Sequence, residues 1–205
     1  HRLSLVIGDA CGRGREAAPL LRTLFPRLQA LSNGTARPSR LLQLLNRELF
    51  GEIPSDRFIT GTALEIDARA GTLTIANAGH VPAVLRTRCG RVTVIGHASG
   101  PPLGLIEHSQ YRDDSFRIQR GDLMVFMTDG VLEAVEDDLS RMSTLRELVA
   151  NAPAGGKAVQ RSLLTEFEHS QVSKRLHDDA TLLSLEILSA PTPLRSRTLA
   201  FATLH

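Results

Sequence analysis

The feature that most constrains the fold of this chain is a set of three aspartates, each beside an apolar run of β type. Asp9 and Asp129 follow such a run directly and lead into a glycine turn, and Asp178 comes shortly before the closing run. A carboxylate at the end of a buried strand is costly to desolvate unless it is paired or binds a cation. Three strand-edge carboxylates that are far apart in sequence could therefore meet at one place in the fold.

The first half of the chain is predicted to form a strand at residues 3–8, then two helices, and then further strands. Apolar residues recur at helical spacing over residues 16–32 and 38–50, with Pro26 expected to kink the first helix and Asn33-Gly34 to end it. The period then falls to that of a β-strand. The change predicts an antiparallel meander of four short strands, at residues 58–67, 72–78, 83–87 and 91–95.

The second half predicts a hairpin, three helices and a closing strand. The hairpin joins residues 111–118 to residues 123–128 around a turn at residues 119–122. The helices are expected at residues 130–136, 143–151 and 157–170, and the strand at residues 180–188. Residues 189–205 mix prolines and arginines without a period, which indicates a linker or a disordered tail. Helices outside predominantly antiparallel sheets predict an α+β sandwich, formed as one domain by residues 1–188.

Composition excludes several classes of protein. The 24 basic and 22 acidic residues leave a formal charge of +2 without a basic stripe, so no nucleic-acid partner is expected. Charged residues interrupt every apolar run before it could span a membrane. Only Cys11 and Cys89 are present, too few for a disulfide framework, which favours a cytoplasmic setting. The chain starts at His1 beside a strand, without an initiator methionine, and is expected to be part of a longer protein.

The three aspartates favour a site for hard cations. Carboxylates and a backbone carbonyl, without a cluster of histidines or cysteines, are the ligands that Mg²⁺ and Mn²⁺ prefer. Two such ions about 3.5–4 Å apart would lower the pKa of a water between them and neutralise a phosphoryl group in transfer. Alone, Asp9 could be a helix N-cap, Asp129 a turn residue and Asp178 part of a solvated turn. Their occurrence together favours the metal site.

A rival interpretation is a dinucleotide-binding fold. Residues 12–17 match the G-x-G-x-x-A fingerprint after a strand and before a helix. Such a fold needs a parallel strand that ends in an acidic residue about 20 residues later. Residues 35–39 are Thr-Ala-Arg-Pro-Ser and lead into another helix, which disfavours this interpretation. A phosphate-binding loop of the Walker type is also disfavoured, because the chain lacks Gly-Lys-Ser/Thr.

Seven ordered motifs give the chain a family resemblance. They lie at residues 8–18 (Gly-Asp-Ala-Cys-Gly-Arg-Gly-Arg-Glu-Ala-Ala), 58–62 (Phe-Ile-Thr-Gly-Thr), 76–82 (Ala-Asn-Ala-Gly-His-Val-Pro), 102–105 (Pro-Leu-Gly-Leu), 120–122 (Arg-Gly-Asp), 128–134 (Thr-Asp-Gly-Val-Leu-Glu-Ala) and 178–183 (Asp-Asp-Ala-Thr-Leu-Leu). Over about residues 3–188 the chain resembles the SpoIIE/RsbU-type serine phosphatases of the metal-dependent (PPM) protein phosphatase superfamily, and most of all their actinobacterial branch.

The resemblance implies a fold, a site and a substrate class. The fold would be a four-layer αββα sandwich of two mainly antiparallel sheets flanked by helices. Asp9 would bridge two Mn²⁺ or Mg²⁺ ions, the backbone carbonyl of Ala10 would hold one of them, and Asp129 and Asp178 would complete the ligands. The substrate would be phosphoserine or phosphothreonine on a small protein, often an anti-sigma-factor antagonist, and sensor domains would lie upstream.

Two departures from the family pattern qualify these expectations. Members usually supply a further aspartate from an earlier strand, so one ligand and one or two strands are expected upstream of His1. A sheet edge left exposed in this way could pair two copies of the chain. Arg13 stands where many members carry a histidine, and its planar guanidinium is predicted to bind substrate phosphate.

The departures leave a second hypothesis open, in which the domain is a catalytically inactive module for binding or regulation. His80 is interpreted as a structural hydrogen-bonding residue of a Gly/Pro turn.

Overall fold

The computed structural model describes residues 2–11, 17–32, 37–133, 141–171 and 180–188. In chain order the elements are β1 (Arg2–Ala10), α1 (Ala17–Ser32), α2 (Pro38–Leu49), β2 (Ile59–Asp67), β3 (Thr72–Ala78), β4 (Ala83–Arg86), β5 (Val92–Ile95), β6 (Asp114–Arg117), β7 (Leu123–Met127), α3 (Asp129–Glu133), α4 (Arg141–Asn151), α5 (Gly156–Gln171) and β8 (Leu182–Glu186). They belong to two units. The first contains the described residues up to 80 and residues 96–117, and the second contains residues 81–95 and the described residues of 118–188.

The first unit is built on an antiparallel sheet with strand order β1-β2-β3-β6. Helices α1 and α2 place leucines at helical spacing on one apolar cluster, to which the sheet adds Ile59, Ala63 and Ala76. The buried leucines of the two helices are Leu20, Leu24, Leu28, Leu41, Leu42, Leu45 and Leu49. Each such side chain contributes about 2 kcal/mol of hydrophobic stabilisation. This core holds β1 and β2 in register, with Asp9 opposite Thr60.

The second unit is built on an antiparallel sheet with strand order β5-β4-β7-β8. All five residues of β7, which lies between β4 and β8 in the sheet, are buried. Leu145 and Val149 of α4 and Val159 and Leu163 of α5 pack on this sheet in one apolar cluster. The cluster fixes the end of β7, from which α3 starts.

Two strand pairings predicted from the sequence are wrong. The meander breaks after β3, because β3 pairs with β2 and β6 while β4 pairs with β5 and β7. For the same reason residues 111–118 and 123–128 do not form a hairpin. The turn between them is held by the buried Asp122, whose carboxylate accepts the backbone N–H groups of Gln119 and Arg88, each at 2.8 Å. Alternating hydrophobicity indicates a strand but does not show which other strand it pairs with.

The remaining element predictions agree with the structure to within a few residues. Helix α1 continues through Pro26, and α3 is described only as far as Glu133 of the predicted residues 130–136. Asn33-Gly34 and the predicted tail at residues 189–205 lie outside the described residues. None of the helices in the described ranges is long and apolar enough to cross a membrane.

The predicted fold class is confirmed, because two antiparallel sheets carry the helices of an α+β protein. The dinucleotide-binding interpretation is wrong. It requires a parallel neighbour for β1, and the strand that follows the two helices, β2, pairs with β1 in antiparallel register over nine residues.

Candidate functional site

Asp9 lies one residue before the end of β1 and is half-buried. The preceding Gly8 approaches β2 so closely that a Cβ atom there would lie 2.6 Å from the carbonyl oxygen of Thr60. Any other residue at Gly8 would have to push the two strands apart, because the obstructing atom belongs to the backbone. The glycine before the aspartate therefore fixes the separation of β1 and β2 where the aspartate leaves the strand.

The Ala10 carbonyl is oriented by the residue that follows it. The backbone N–H of Cys11 donates to the carbonyl oxygen of Phe58 at 3.0 Å, and the N–H of Phe58 donates to Cys11 Sγ at 3.1 Å. In a planar trans peptide the carbonyl points opposite to the N–H group. The Ala10 carbonyl therefore points away from β2, on the side of β1 where the described residues supply no neighbouring strand. This carbonyl can ligate a cation.

The backbone carbonyl of Asp9 has a neighbour across the sheet. Thr60 is its register partner on β2, and Thr60 Oγ1 lies 3.4 Å from the Asp9 carbonyl oxygen. The same hydroxyl lies 2.9 Å from Nδ1 of His80, which is buried with 5% of its surface exposed. This chain of contacts from Asp9 through Thr60 to His80 was not predicted from the sequence.

His80 is held by its own turn. Its backbone N–H donates to Asn77 Oδ1 at 2.7 Å, and Asn77 Nδ2 donates to the His80 carbonyl at 2.9 Å and to the Gly96 carbonyl at 2.6 Å. Between them Gly79 has a φ of 73°, and a Cβ atom there would lie 2.9 Å from Pro102 Cγ. These contacts agree with the interpretation of His80 as a structural hydrogen-bonding residue.

In the second unit Asp129 is the first residue of α3, directly after β7 and Thr128. It is exposed, and its Oδ1 accepts the N–H of Gly130 at 2.9 Å. Thr128 is buried and bonds twice to Thr181. The N–H of Thr128 donates to the Thr181 carbonyl at 3.1 Å, and the N–H of Thr181 donates to Thr128 Oγ1 at 2.8 Å. Asp129 therefore directly follows a residue that is hydrogen-bonded twice to Thr181, and Thr181 lies three positions after Asp178 in the sequence.

Two of the predicted site residues, Arg13 and Asp178, lie outside the described residues. Asp9 and Ala10 belong to one unit and Asp129 to the other, so a centre shared by all the predicted ligands stays a prediction. No group of three or more His, Cys, Asp or Glu side chains in the described ranges could hold a metal ion. The donors that are described are oxygen atoms only, a set that fits Mg²⁺ or Mn²⁺ and not a zinc site.

The fold is that of PP2C-type protein phosphatase domains. The structure of the RsbU and RsbW domains of Rv1364c from Mycobacterium tuberculosis matches with a TM-score of 0.77 and 27% identity, over 94% of this chain and 53% of that one. The family model described as Stage II sporulation protein E (SpoIIE) matches residues 1–188. The chain belongs to this family, within the metal-dependent protein phosphatases, as the motifs predicted.

Two relatives from Bacillus subtilis (strain 168) are similar over most of this chain. Phosphoserine phosphatase RsbP is 25% identical over an alignment of 192 residues that covers 91% of this chain and 46% of RsbP. Phosphoserine phosphatase RsbU is 26% identical over an alignment of 189 residues that covers 89% of this chain and 55% of RsbU. The chain therefore spans about half the length of the curated relatives it matches.

Proteins with this fold have been crystallised with the expected metals. The catalytic domain of the serine threonine protein phosphatase PstP, in complex with 2 manganese ions, matches with a TM-score of 0.64 and 13% identity, over 90% of this chain and 87% of that one. RsbX in complex with magnesium matches with a TM-score of 0.65 and 17% identity, over 87% and 78%. At these identities the likeness shows the fold alone.

Proposed function

We propose that this chain is the catalytic domain of a Mn²⁺- or Mg²⁺-dependent protein serine/threonine phosphatase. The observation that carries the proposal is the end of β1, where the Asp9 side chain is followed by an Ala10 carbonyl that points away from β2. A carboxylate and a carbonyl on consecutive residues offer two hard ligands with little conformational freedom. The resemblance of this segment to the first motif of the family supports the same role.

Asp9, the Ala10 carbonyl, Asp129 and Asp178 are the proposed metal ligands. When bound, two divalent ions would supply an acidic water as nucleophile and neutralise the negative charge of the phosphate. The protein's own contribution is to fix its oxygen atoms before any ion arrives. Gly8 and Cys11 do this for β1, and the bonds between Thr128 and Thr181 do it at the start of α3.

Arg13 is the proposed binding residue for substrate phosphate. A guanidinium stays protonated at all relevant pH values and can donate two parallel N–H bonds to phosphate oxygens. It therefore suits orientation and charge neutralisation, and it is a poor proton donor to the leaving serine oxygen. The role predicts an effect on substrate KM when Arg13 is changed.

The proposed substrate is phosphoserine or phosphothreonine on a small regulatory protein. RsbP and RsbU, which are similar to most of this chain, are named phosphoserine phosphatases. The family resemblance favours an anti-sigma-factor antagonist as the phosphoprotein, sensor domains upstream in the full-length protein, and a cytoplasmic setting for sigma-factor regulation.

A second candidate function is a phosphatase-fold module that binds a phosphorylated partner protein without hydrolysing its phosphate ester. The arginine at position 13, where many family members carry a histidine, favours this candidate. The two candidates differ in turnover, because a binding module would hold a phosphoserine protein without releasing phosphate.

Calorimetric titration of Mn²⁺ into the metal-free chain tests the proposed ligands. We expect binding that Asp9→Asn and Asp129→Asn each weaken by more than about tenfold, because a neutral amide replaces a charged ligand. Asp114→Asn is the matched control, since Asp114 is an exposed carboxylate on the edge strand β6. If all three variants bind Mn²⁺ with the affinity of wild type, the proposed metal site is refuted. Phosphate release from a phosphoserine peptide separates the enzyme from the binding module.

A further inference from the structure

We propose that Thr60 and His80 are positioning residues that hold the Asp9–Ala10 segment in the geometry required for metal binding. The inference rests on the proposed function for the identity of the ligands. It adds two residues from other elements, a strand hydroxyl and a turn imidazole, to the machinery of the site.

Thr60 occupies the position on β2 from which a side chain can act on Asp9. Residues directly opposite in an antiparallel pair share one face of the sheet, with Cβ atoms about 5 Å apart. Thr60 is opposite Asp9, and its hydroxyl lies 3.4 Å from the Asp9 carbonyl oxygen. The Thr60 hydroxyl thus contacts the peptide group that joins the two proposed ligands, Asp9 and Ala10.

His80 determines where that hydroxyl points. Its Nδ1 lies 2.9 Å from Thr60 Oγ1. A hydroxyl has one hydrogen to donate, and the Asp9 carbonyl can only accept. Both contacts are hydrogen bonds only when His80 Nδ1 carries a proton and donates it to Thr60, while Thr60 donates to Asp9. The proposed role therefore predicts the Nδ1–H tautomer for a neutral His80.

The turn that carries His80 is rigid enough to serve as a support. Asn77 is fully buried and makes two hydrogen bonds to the His80 backbone. Pro102 packs on Gly79 beside it, and Leu103 exchanges two backbone hydrogen bonds with Ile59, at 3.0 and 2.8 Å. Ile59 immediately precedes Thr60, so the support and the residue it acts on are fixed by one set of contacts.

In other metal sites, residues that hydrogen-bond to the metal ligands and orient them cost about 10–100-fold in metal affinity or activity when they are removed. Thr60 and His80 resemble such residues. Here the support acts on the backbone of the ligand segment. It should therefore affect metal affinity and kcat more than the KM for the phosphopeptide at saturating metal.

The test compares Thr60→Val with Thr60→Ser. Valine keeps the shape and the β propensity of threonine and removes the hydroxyl, whereas serine keeps the hydroxyl. We expect Thr60→Val to weaken Mn²⁺ binding, measured by calorimetry, by about 10-fold or more, and Thr60→Ser to stay within about 3-fold of wild type. His80→Leu should reproduce the loss, and His80→Asn, with an amide N–H near the Nδ1 position, should restore part of the affinity.

Thr62→Val is the matched control, because Thr62 lies two residues along the same strand and its hydroxyl has no hydrogen-bond partner among the described residues. If Thr60→Val binds Mn²⁺ as tightly as wild type and Thr62→Val, the positioning role is refuted. If wild type itself binds no Mn²⁺, or Asp9→Asn binds as well as wild type, the proposed function fails and the inference with it. A further readout needs no metal. Long-range ¹H–¹⁵N spectra should show the Nδ1–H tautomer for His80, and the Nε2–H tautomer would overturn the inference.

Discussion

Thr128 and Thr181 exchange two hydrogen bonds at the end of β7, one between their backbones and one from the Thr181 N–H to the Thr128 hydroxyl. The pair extends the β7–β8 ladder past Met127 and Leu182, its last paired residues. The next residue along from Thr128 is Asp129. A side-chain hydroxyl therefore ties the start of α3 to the strand that follows Asp178.

Replacing Thr128 by valine should destabilise the protein, because the Thr181 N–H would lose its acceptor in a partly buried place. An N–H left without a partner costs about 1–3 kcal/mol in unfolding free energy. Urea denaturation measures the change. Thr128→Ser retains the acceptor and is expected to lose less. Equal stability of the valine and serine variants would contradict the importance of this bond.

The opposite result is expected for Thr62, whose hydroxyl is buried without a partner in the described part of the chain. The residue is 2% exposed. Valine has the same shape, and its methyl group avoids the cost of burying an unpaired hydroxyl, about 1–3 kcal/mol. Thr62→Val should therefore match or exceed wild type in thermal unfolding. A loss of more than about 1 kcal/mol would reveal a bond that the described contacts lack.

Tyr111 should make stability fall at high pH. Burial raises the pKa of Tyr111 from 10.0 to about 12, and its hydroxyl donates to the Pro101 carbonyl at 3.0 Å. Because the folded-state pKa is above the unfolded one, the contribution is complete below pH 10 and is lost as the pH rises through 12. The shift corresponds to about 2–3 kcal/mol. Urea unfolding at a series of pH values should show this decline in wild type, and Tyr111→Phe should lack that component. Identical pH profiles would contradict the assignment.

Arg86 should stabilise the α4–α5 connection. Its guanidinium donates to the carbonyls of Val149 and Ala152, at 2.8 and 2.7 Å, and caps the C-terminal end of α4. Glu186 accepts the Gly156 N–H at the start of α5, at 2.8 Å. Burial lowers the pKa of Arg86, and the charge of Glu186 opposes that shift. Arg86→Met keeps the length of the side chain without its donors.

We expect Arg86→Met to lower the unfolding free energy by about 1–3 kcal/mol, because two partly buried carbonyls lose a charged donor. Arg161→Met is a suitable control, since Arg161 is an exposed arginine on α5. A change at Arg86 no larger than the change at Arg161 would show that the cap is dispensable.

The sequence predicted the elements better than their pairing. The strand at residues 72–78 matches β3 to the residue, because its alternation and its bounding turns are local signals. The partner of β6 could not be predicted in this way. That partner is β3, about 40 residues earlier in the chain, and a pairing over such a distance has no local sequence signal.

In the candidate site, too, local features could be predicted from the sequence and contacts between distant residues could not. The position of Asp9 at the end of an apolar strand next to glycines is visible in the sequence, and the predicted hard-ligand role rests on it. The contact of Thr60 with His80 could not be predicted, since it depends on β1–β2 register and on a turn 20 residues away. The Gly/Pro context of His80 indicated a structural role, and the fold adds its contact with the Thr60 hydroxyl.

The measurement that tests the central claim most directly is phosphate release from a phosphoserine peptide as Mn²⁺ is titrated. It compares wild type with Asp129→Asn and with the surface control Asp114→Asn. We expect phosphate release to require Mn²⁺, to be abolished by EDTA and to be retained by Asp114→Asn. In Asp129→Asn it should fall more than about 100-fold, because loss of a residue that only orients a metal ligand typically costs about 10–100-fold. Metal-independent release, or full activity in Asp129→Asn, would contradict a metal-dependent phosphatase that uses this aspartate.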